Sequence, residues 1–341
     1  MDFILKEFSV HSMSMLRAYE GIALFTDSWP QSLKVSIPSK HDKKMTNRLI
    51  LGTAQLGQAY GIANASGQPD QQEANAIVRT AWDGGIVYFD TAQGYGASES
   101  VLGAALRACG AGKAARVITK LVSVLPTNPS SLRASVMRSL TELGIPKIFC
   151  LMLHREEQLA LLDGWQGAVM EDLLVQGKTD YIGISVYTPE AALQALAHRL
   201  VAVVQIPASL FDRRFEAAGV FAAARDMGKE LHVRSVFLQG ALGMLPEHLP
   251  DFLAGLAPAL VSLRRIALEV DCSPLQLALV WMLRRHPDQR ILFGAEQAAQ
   301  VRNNLDFAHA AATFSPAVLQ RLDAVFPPQL PELLNPALWR R

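Results

Sequence analysis

The chain has 341 residues, 50% of them hydrophobic, and its 32 Lys and Arg against 31 Asp and Glu leave a net charge of +1. That length holds one large α/β domain or two average ones, and the near balance of charge excludes a basic field that would attract nucleic acid. No uninterrupted apolar segment of about 18 residues is present, so no membrane span is expected. Cys109, Cys150 and Cys272 show neither metal-ligand nor redox spacing, which suits buried thiols in a reduced compartment and no bound metal.

The first 46 residues lack a signal-peptide pattern, because Lys6, Glu7, Arg17, Glu20 and Asp27 break their short apolar pieces. They end in the polar run SKHDKKMTNR and read as a poorly structured N-terminal extension. Met45 is an alternative start that would make residues 1–44 a gene-call extension, and a packed accessory segment is the other reading. A cytoplasmic location is expected.

From residue 48 a rhythm sets in. Apolar runs at 48–53, 86–90, 116–120, 148–154, 181–185, 201–206, 231–235 and 290–294 alternate with helix patterns. The helix patterns lie near 71–84, 98–108, 129–143, 156–176, 189–198, 213–227, 258–285 and 297–310. Asn128-Pro129, Thr188-Pro189 and Ser273-Pro274 are helix starts. Eight nearly continuous apolar strands, each followed by a helix, predict a parallel sheet closed into a (β/α)8 TIM barrel over 47–341. The long seventh connection leaves room for an extra helix before strand eight. A doubly wound sheet would carry a glycine fingerprint after strand one. LGTAQLGQAYG (51–61) lacks it, and GAGKAA (110–115) precedes a strand instead of following one.

Barrels of this kind work at the C-terminal ends of their strands. Strand two ends in Asp90 with Tyr95 in its loop, strand three in Lys120, strand four in His154, strand five in Ser185, and Gln205 lies near the end of strand six. Singly, each has a structural reading as a helix cap, a solvated charge or a satisfied polar group. Together they describe a proton-delivery device. A phenol of ordinary pKa of about 10 is too weak an acid near neutrality. An ammonium beside it stabilises the phenolate, a carboxylate holds the ammonium, and an imidazole orients a carbonyl oxygen. An oxygen that becomes an alkoxide under hydride attack needs such a donor.

The pieces FDTAQGYGASESVLG (89–103), ITK (118–120), LHR (153–155), IGIS (182–185), VVQI (203–206) and FGAEQAAQVRNNL (293–305) resemble the aldo/keto reductase superfamily over about 48–326. The resemblance implies an NAD(P)(H)-dependent oxidoreductase that interconverts an aldehyde or ketone, sugar-like substrates included, with its alcohol. In it Tyr95 is the general acid or base, Asp90 and Lys120 tune it, and His154 orients the carbonyl. Cofactor contacts would come from Thr53, from Ser185 and Gln205 at the nicotinamide, and from Ser235, Phe237, Gln239 and Gly240 at the pyrophosphate. Gly294, Ala295, Glu296, Gln300 and Asn304 would serve the adenosine end.

Two departures stand out. Val186 follows Ser185 where many members have Asn, and Glu296 stands where Arg or Lys is common. A carboxylate there repels a 2′-phosphate, so NADP(H) is the default of the family while NAD(H) is the expectation that Glu296 raises. The loop 55–69 is long for a barrel connection, and Tyr60 and Asn64 are its candidates for facing the substrate. The tail FPPQLPELLNPALW (326–339) would line the pocket if it followed the family's habit. The alternative function is a cofactor-binding sensor or regulatory subunit with little turnover. A small-molecule partner is expected, with no nucleic acid or membrane partner, and the sequence does not fix the oligomeric state.

Overall fold

The computed structural model describes residues 45–339 except 65 and 328; residues 1–44 of the expected extension lie outside them. Eight parallel strands run β1 Leu49–Gly52, β2 Tyr88–Asp90, β3 Arg116–Lys120, β4 Ile148–Leu153, β5 Thr179–Ser185, β6 Val201–Pro207, β7 Glu230–Arg234 and β8 Arg290–Gly294. They pair in sequence order, and β1 closes on β8 through the register Leu49 to Ile291 and Gly52 to Gly294. The expected (β/α)8 barrel is therefore the fold.

Most helices lie where the apolar spacing predicts, and their starts follow from capping. Asp70, Asn128, Thr188 and Ser273 each accept a backbone N–H from the first turn, and proline follows the last three. Three predicted helices are broken. Residues 156–176 form a 3₁₀ turn, Glu156–Asp163, and a helix, Trp165–Val175, joined at an extended Gly164. Arg214–Ala217 and Val220–Asp226 are separated at Gly219, with φ 77°. The run 258–285 divides into Ala257–Glu269 and Pro274–Arg285, because Asp271 turns left-handed (φ 51°) and Ser273 caps anew. That division supplies the extra helix between β7 and β8.

Side chains of parallel strands alternate between the helices and the barrel axis. The larger core, including Leu49, Leu51, Phe89, Val117 and Leu151, fills the space under the helices. A smaller cluster, including Ile50, Tyr88, Ile118, Cys150, Met152 and Val203, fills the barrel interior. Its floor is charged: Glu230 accepts from Arg290 and approaches His232 Nε2 at 2.9 Å, while Arg290 lies 3.7 Å from the Tyr88 ring centre. Burial opposes the Glu230 carboxylate, but His232 and Arg290 outweigh it and hold its pKa down at about 2. Among the described residues no single helix is long and apolar enough to cross a membrane.

Candidate active site

The inward-facing series that fills the barrel turns polar at its last layer. Tyr88 is followed two residues on by Asp90, Ile118 by Lys120, Met152 by His154, Gly183 by Ser185 and Val203 by Gln205. Adjacent strands therefore present these five side chains to one mouth. Lys120 Nζ donates to Asp90 Oδ1 at 2.5 Å and to the Thr91 carbonyl at 2.9 Å. Gln205 Nε2 donates to Asp90 Oδ2 at 2.8 Å, and the Ser185 hydroxyl lies 3.4 Å from Gln205 Oε1. A carboxylate and an ammonium this buried stay charged only because each satisfies the other.

Tyr95 lies above the pair, its ring centre 4.9 Å from Lys120 Nζ and 5.6 Å from the His154 ring, edge to face. Burial raises the phenol pKa above its usual value, the Lys120 charge pulls it back, and Asp90 pushes it up again. The downward pull expected of Lys120 is present but smaller than the desolvation. Burial also opposes the Lys120 ammonium, yet Asp90 and Tyr95 outweigh it and raise its pKa. His154 is held at about 3, first by burial and then by Lys120, so its imidazole is neutral near pH 7. Its Nδ1 is buried without a partner beside Gly94.

The loop that carries Tyr95 is fixed by backbone contact. A Cβ on Gly57 would fall 1.7 Å from the Tyr95 carbonyl oxygen, and one on Gly96 (φ 56°) would fall 2.4 Å from the Gly57 oxygen. Glycine at both positions lets the first and second βα loops touch main chain to main chain. Beneath them, Ser98 donates to the Thr53 carbonyl at 2.7 Å and accepts from Thr91 Oγ1 at 2.9 Å. Glu99 is buried and accepts from Thr119 at 2.6 Å and Ser139 at 3.1 Å, tying the helix to β3 and to the next helix.

A cavity of about 600 Å³ opens on this mouth, within the range of small-molecule and cofactor sites. Thr53, Tyr60, Asp90, Tyr95, Gln205 and Ser235 line its inner part. Phe237, Gln239, Gly240, Gly294, Glu296, Gln300 and Asn304 line the rest. The segment after β7 is bent by positive φ at Ser235 (63°), Leu238 (46°), Gln239 (53°) and Gly240 (93°), a strained path that opens this wall of the cavity. The Gln205 side chain and this open wall fit an elongated ligand with a polar ring substituent at the inner end.

Some expected residues stand elsewhere. Lys120, His154, Ser185 and Ala295 lie at or under the mouth but are not on the cavity wall. Asn64 is spent on its own loop: its amide donates to the Tyr60 and Gly67 carbonyls and accepts from Ser66 and Gly67 N–H groups. The described part of the tail does not line the cavity either. Its Gln329 amide bonds Phe211 and Arg213, and Leu333 packs by Gly255.

Sequence reasoning missed three groups. Arg234 ends β7 in the inward series and lines the cavity, and the strand-end rule applied to LHVRS would have found it. Asn303 lines the outer end, one residue before the named Asn304. Glu73 Oε1 accepts the Ala298 N–H at 2.8 Å, so a carboxylate already caps the helix Ala298–Ala310 that carries Gln300 and Asn304. No local signal marks that contact, which spans 225 residues.

Comparison with known proteins agrees with this fold. An "Aldo-keto reductase str7" of Strobilurus tenacellus is 23% identical over 287 residues, covering 77% of this chain and 83% of its own. The L-glyceraldehyde 3-phosphate reductase of Escherichia coli O157:H7 is 25% identical over 312 residues, covering 81% and 89%. A Schizosaccharomyces pombe protein, named provisionally as a voltage-gated potassium channel subunit beta, is 25% identical over 292 residues, covering 75% and 85%. The solved holo form of an aldo-keto reductase from Bacillus halodurans shares the fold at a TM-score of 0.63 and 23% identity, over 83% of this chain and 94% of that one. The model of the aldo/keto reductase family matches residues 48–326, and the chain belongs to that family, whose members are oxidoreductases acting on carbonyls.

Proposed function

We propose that the chain is a nicotinamide-dependent carbonyl reductase, or the reverse alcohol dehydrogenase, with Tyr95 as its general acid or base. The observation that carries this is the buried Asp90–Lys120 pair beneath a phenol that lines a cavity. A bound nicotinamide would supply or accept the hydride. The remaining work falls on the chain. Neutral His154 donates a hydrogen bond to the carbonyl oxygen and orients it, and Tyr95 passes its proton to that oxygen as negative charge develops. Lys120 stabilises the phenolate left behind, and Asp90 fixes the ammonium. Ser185 and the free lone pair of Gln205 Oε1 would hold the carboxamide. NADH or NADPH oxidation over a carbonyl panel tests the reading: Tyr95→Phe lowers kcat by about 10²- to 10⁴-fold with cofactor affinity unchanged. Persistence of wild-type turnover in that variant would sink it.

The cofactor favoured is NAD(H). Glu296 lines the outer cavity, its backbone N–H is already taken by Gln300 Oε1 at 2.7 Å, and Glu73 occupies the Ala298 N–H. Two carboxylates and two filled donors disfavour a 2′-phosphate and suit a ribose diol. Titration of cofactor fluorescence is expected to show tighter binding of NADH than NADPH, and Glu296→Arg to narrow the gap about ten-fold or more. Tighter NADPH binding by the wild type contradicts it.

A second reading, a cofactor-holding regulatory subunit, is favoured by the name of the S. pombe relative. Tight cofactor binding with a single turnover is its signature.

A further inference from the structure

Two glutamines away from the cavity wall join the loops that carry Tyr95 and His154. Gln93 stands two residues before Tyr95, and its backbone N–H donates to the Lys120 carbonyl at 3.0 Å. Its Oε1 accepts the Val122 N–H and the Ser135 hydroxyl, each at 3.1 Å. Its Nε2 donates to the Ser139 hydroxyl at 2.9 Å and the Ser135 carbonyl at 3.2 Å, which anchors it to the helix Pro129–Leu143. Gln158, buried in the 3₁₀ turn after β4, accepts the N–H groups of His154 and Arg155 at 3.0 Å each. Its Nε2 donates to the Ser123 carbonyl at 2.9 Å and the Val122 carbonyl at 3.3 Å. Each amide fills its two donor and two acceptor positions within the protein, with none left for a ligand.

Val122 is the meeting point. Gln93 holds its N–H from the side of the Tyr95 loop, and Gln158 holds its carbonyl from the side of His154. The peptide group that carries this N–H has the Leu121 carbonyl at its other end. That carbonyl acts on the His154 ring: burial and then Lys120 lower the imidazole pKa, and Leu121 opposes them. The turn that bears Gln158 is itself fixed from beyond β5, where Glu156 accepts the Tyr187 N–H at 2.7 Å and the Thr188 N–H at 3.1 Å. A series of bonds therefore runs from the loop of the phenol through Val122 to the imidazole. The two rings meet edge to face with centres 5.6 Å apart, a contact too weak to fix their separation by itself. Both must nevertheless reach one carbonyl oxygen, and about 1 Å of misplacement costs about a hundred-fold in rate.

Resting on the reductase reading of this site, we propose that Gln93 and Gln158 are positioning residues that act in series through Val122 to set the separation of Tyr95 and His154. Neither touches substrate or cofactor. Because the links lie in series, breaking either one releases the constraint, and breaking both releases little more.

Gln93→Met and Gln158→Met remove one amide at a time. Each is expected to lower kcat by roughly ten- to a hundred-fold, with the NADH Kd within about two-fold of wild type. The double variant is expected within about three-fold of the slower single one. Gln93→Glu, which keeps an acceptor for the Val122 N–H, restores most of the lost rate. Rates are counted per NADH-binding site, so that unfolded protein does not register as lost catalysis. Carbon NMR of tyrosine labelled at Cζ, assigned with Tyr95→Phe, follows the phenol independently of turnover. Burial is the largest cause that raises its pKa, so a loosened loop moves its titration down toward the ordinary value in both single variants. Losses that multiply in the double variant, or a phenol titration that neither single variant moves, overturn the brace and leave the reductase reading intact. A wild type that turns over no carbonyl, with a phenol titration that moves in both variants, keeps the brace and removes the reductase reading.

Discussion

At the residue scale the site depends on compensation. Lys120→Met is expected to lower kcat by about 10²-fold or more, since Lys120 supplies the largest charge that stabilises a Tyr95 phenolate. It also strands the Asp90 carboxylate, 3% exposed, so it should cost about 3–5 kcal/mol of stability. The double variant Asp90→Asn/Lys120→Met recovers much of that stability in a urea titration but none of the activity. Recovery of both would mean that the pair is structural alone. His154, held at about 3, stays neutral throughout the useful range, and the Tyr95 phenol stays protonated to above its ordinary value. The rate of reduction at saturating cofactor should therefore show no break near pH 6.5. A break there would contradict a neutral imidazole.

At the element scale, the main-chain contact between Gly57 and Gly96 aims the phenol. Gly96→Ala adds a Cβ at φ 56° against the Gly57 oxygen, which should cost at least about 1 kcal/mol and displace Tyr95. A displacement of about 1 Å is enough to lower kcat a hundred-fold while NADH still binds; unchanged kcat would show that the loop does not set the phenol. The strands were legible because most of their residues are buried on both faces and so run apolar. The polar residues that gather at the strand ends were legible from their place after the apolar runs, except Arg234, whose charge resembles any solvated strand end. The helix breaks at Gly164, Gly219 and Asp271 were hidden because apolar spacing continues across them, while the turn is set by backbone angles. Asn64 misled because its amide completes a turn, a role that any loop asparagine suits.

For the whole molecule, two histidines with lowered pKa contribute to the response to acid. His286 stacks on Phe221 at 3.8 Å, and burial, then Arg285, Arg48 and Arg213, hold it at about 4; His154 is at about 3. Both lie below the ordinary value of 6.5, so the unfolded chain takes up their protons first as pH falls. Their contribution is whole above about 6.5 and is lost on descent through 4 to 3, on the order of 3 kcal/mol for His286. Urea midpoints should fall between pH 6.5 and 4, and His286→Phe should flatten that part. An unchanged slope in that variant would exclude His286 as the source.

Arg48, just before β1, donates to the carbonyls of Leu283 at 2.9 Å, His286 at 2.6 Å and Gln289 at 3.1 Å, and so clamps the approach to β8. The clamp joins residues 241 apart. During synthesis the first strand therefore leaves the ribosome long before its last neighbour, with one edge open until nearly the whole barrel has been made. Emerging chains meet the longest exposure of an unpaired edge at β1, where a chaperone or a second nascent chain has the most time to bind.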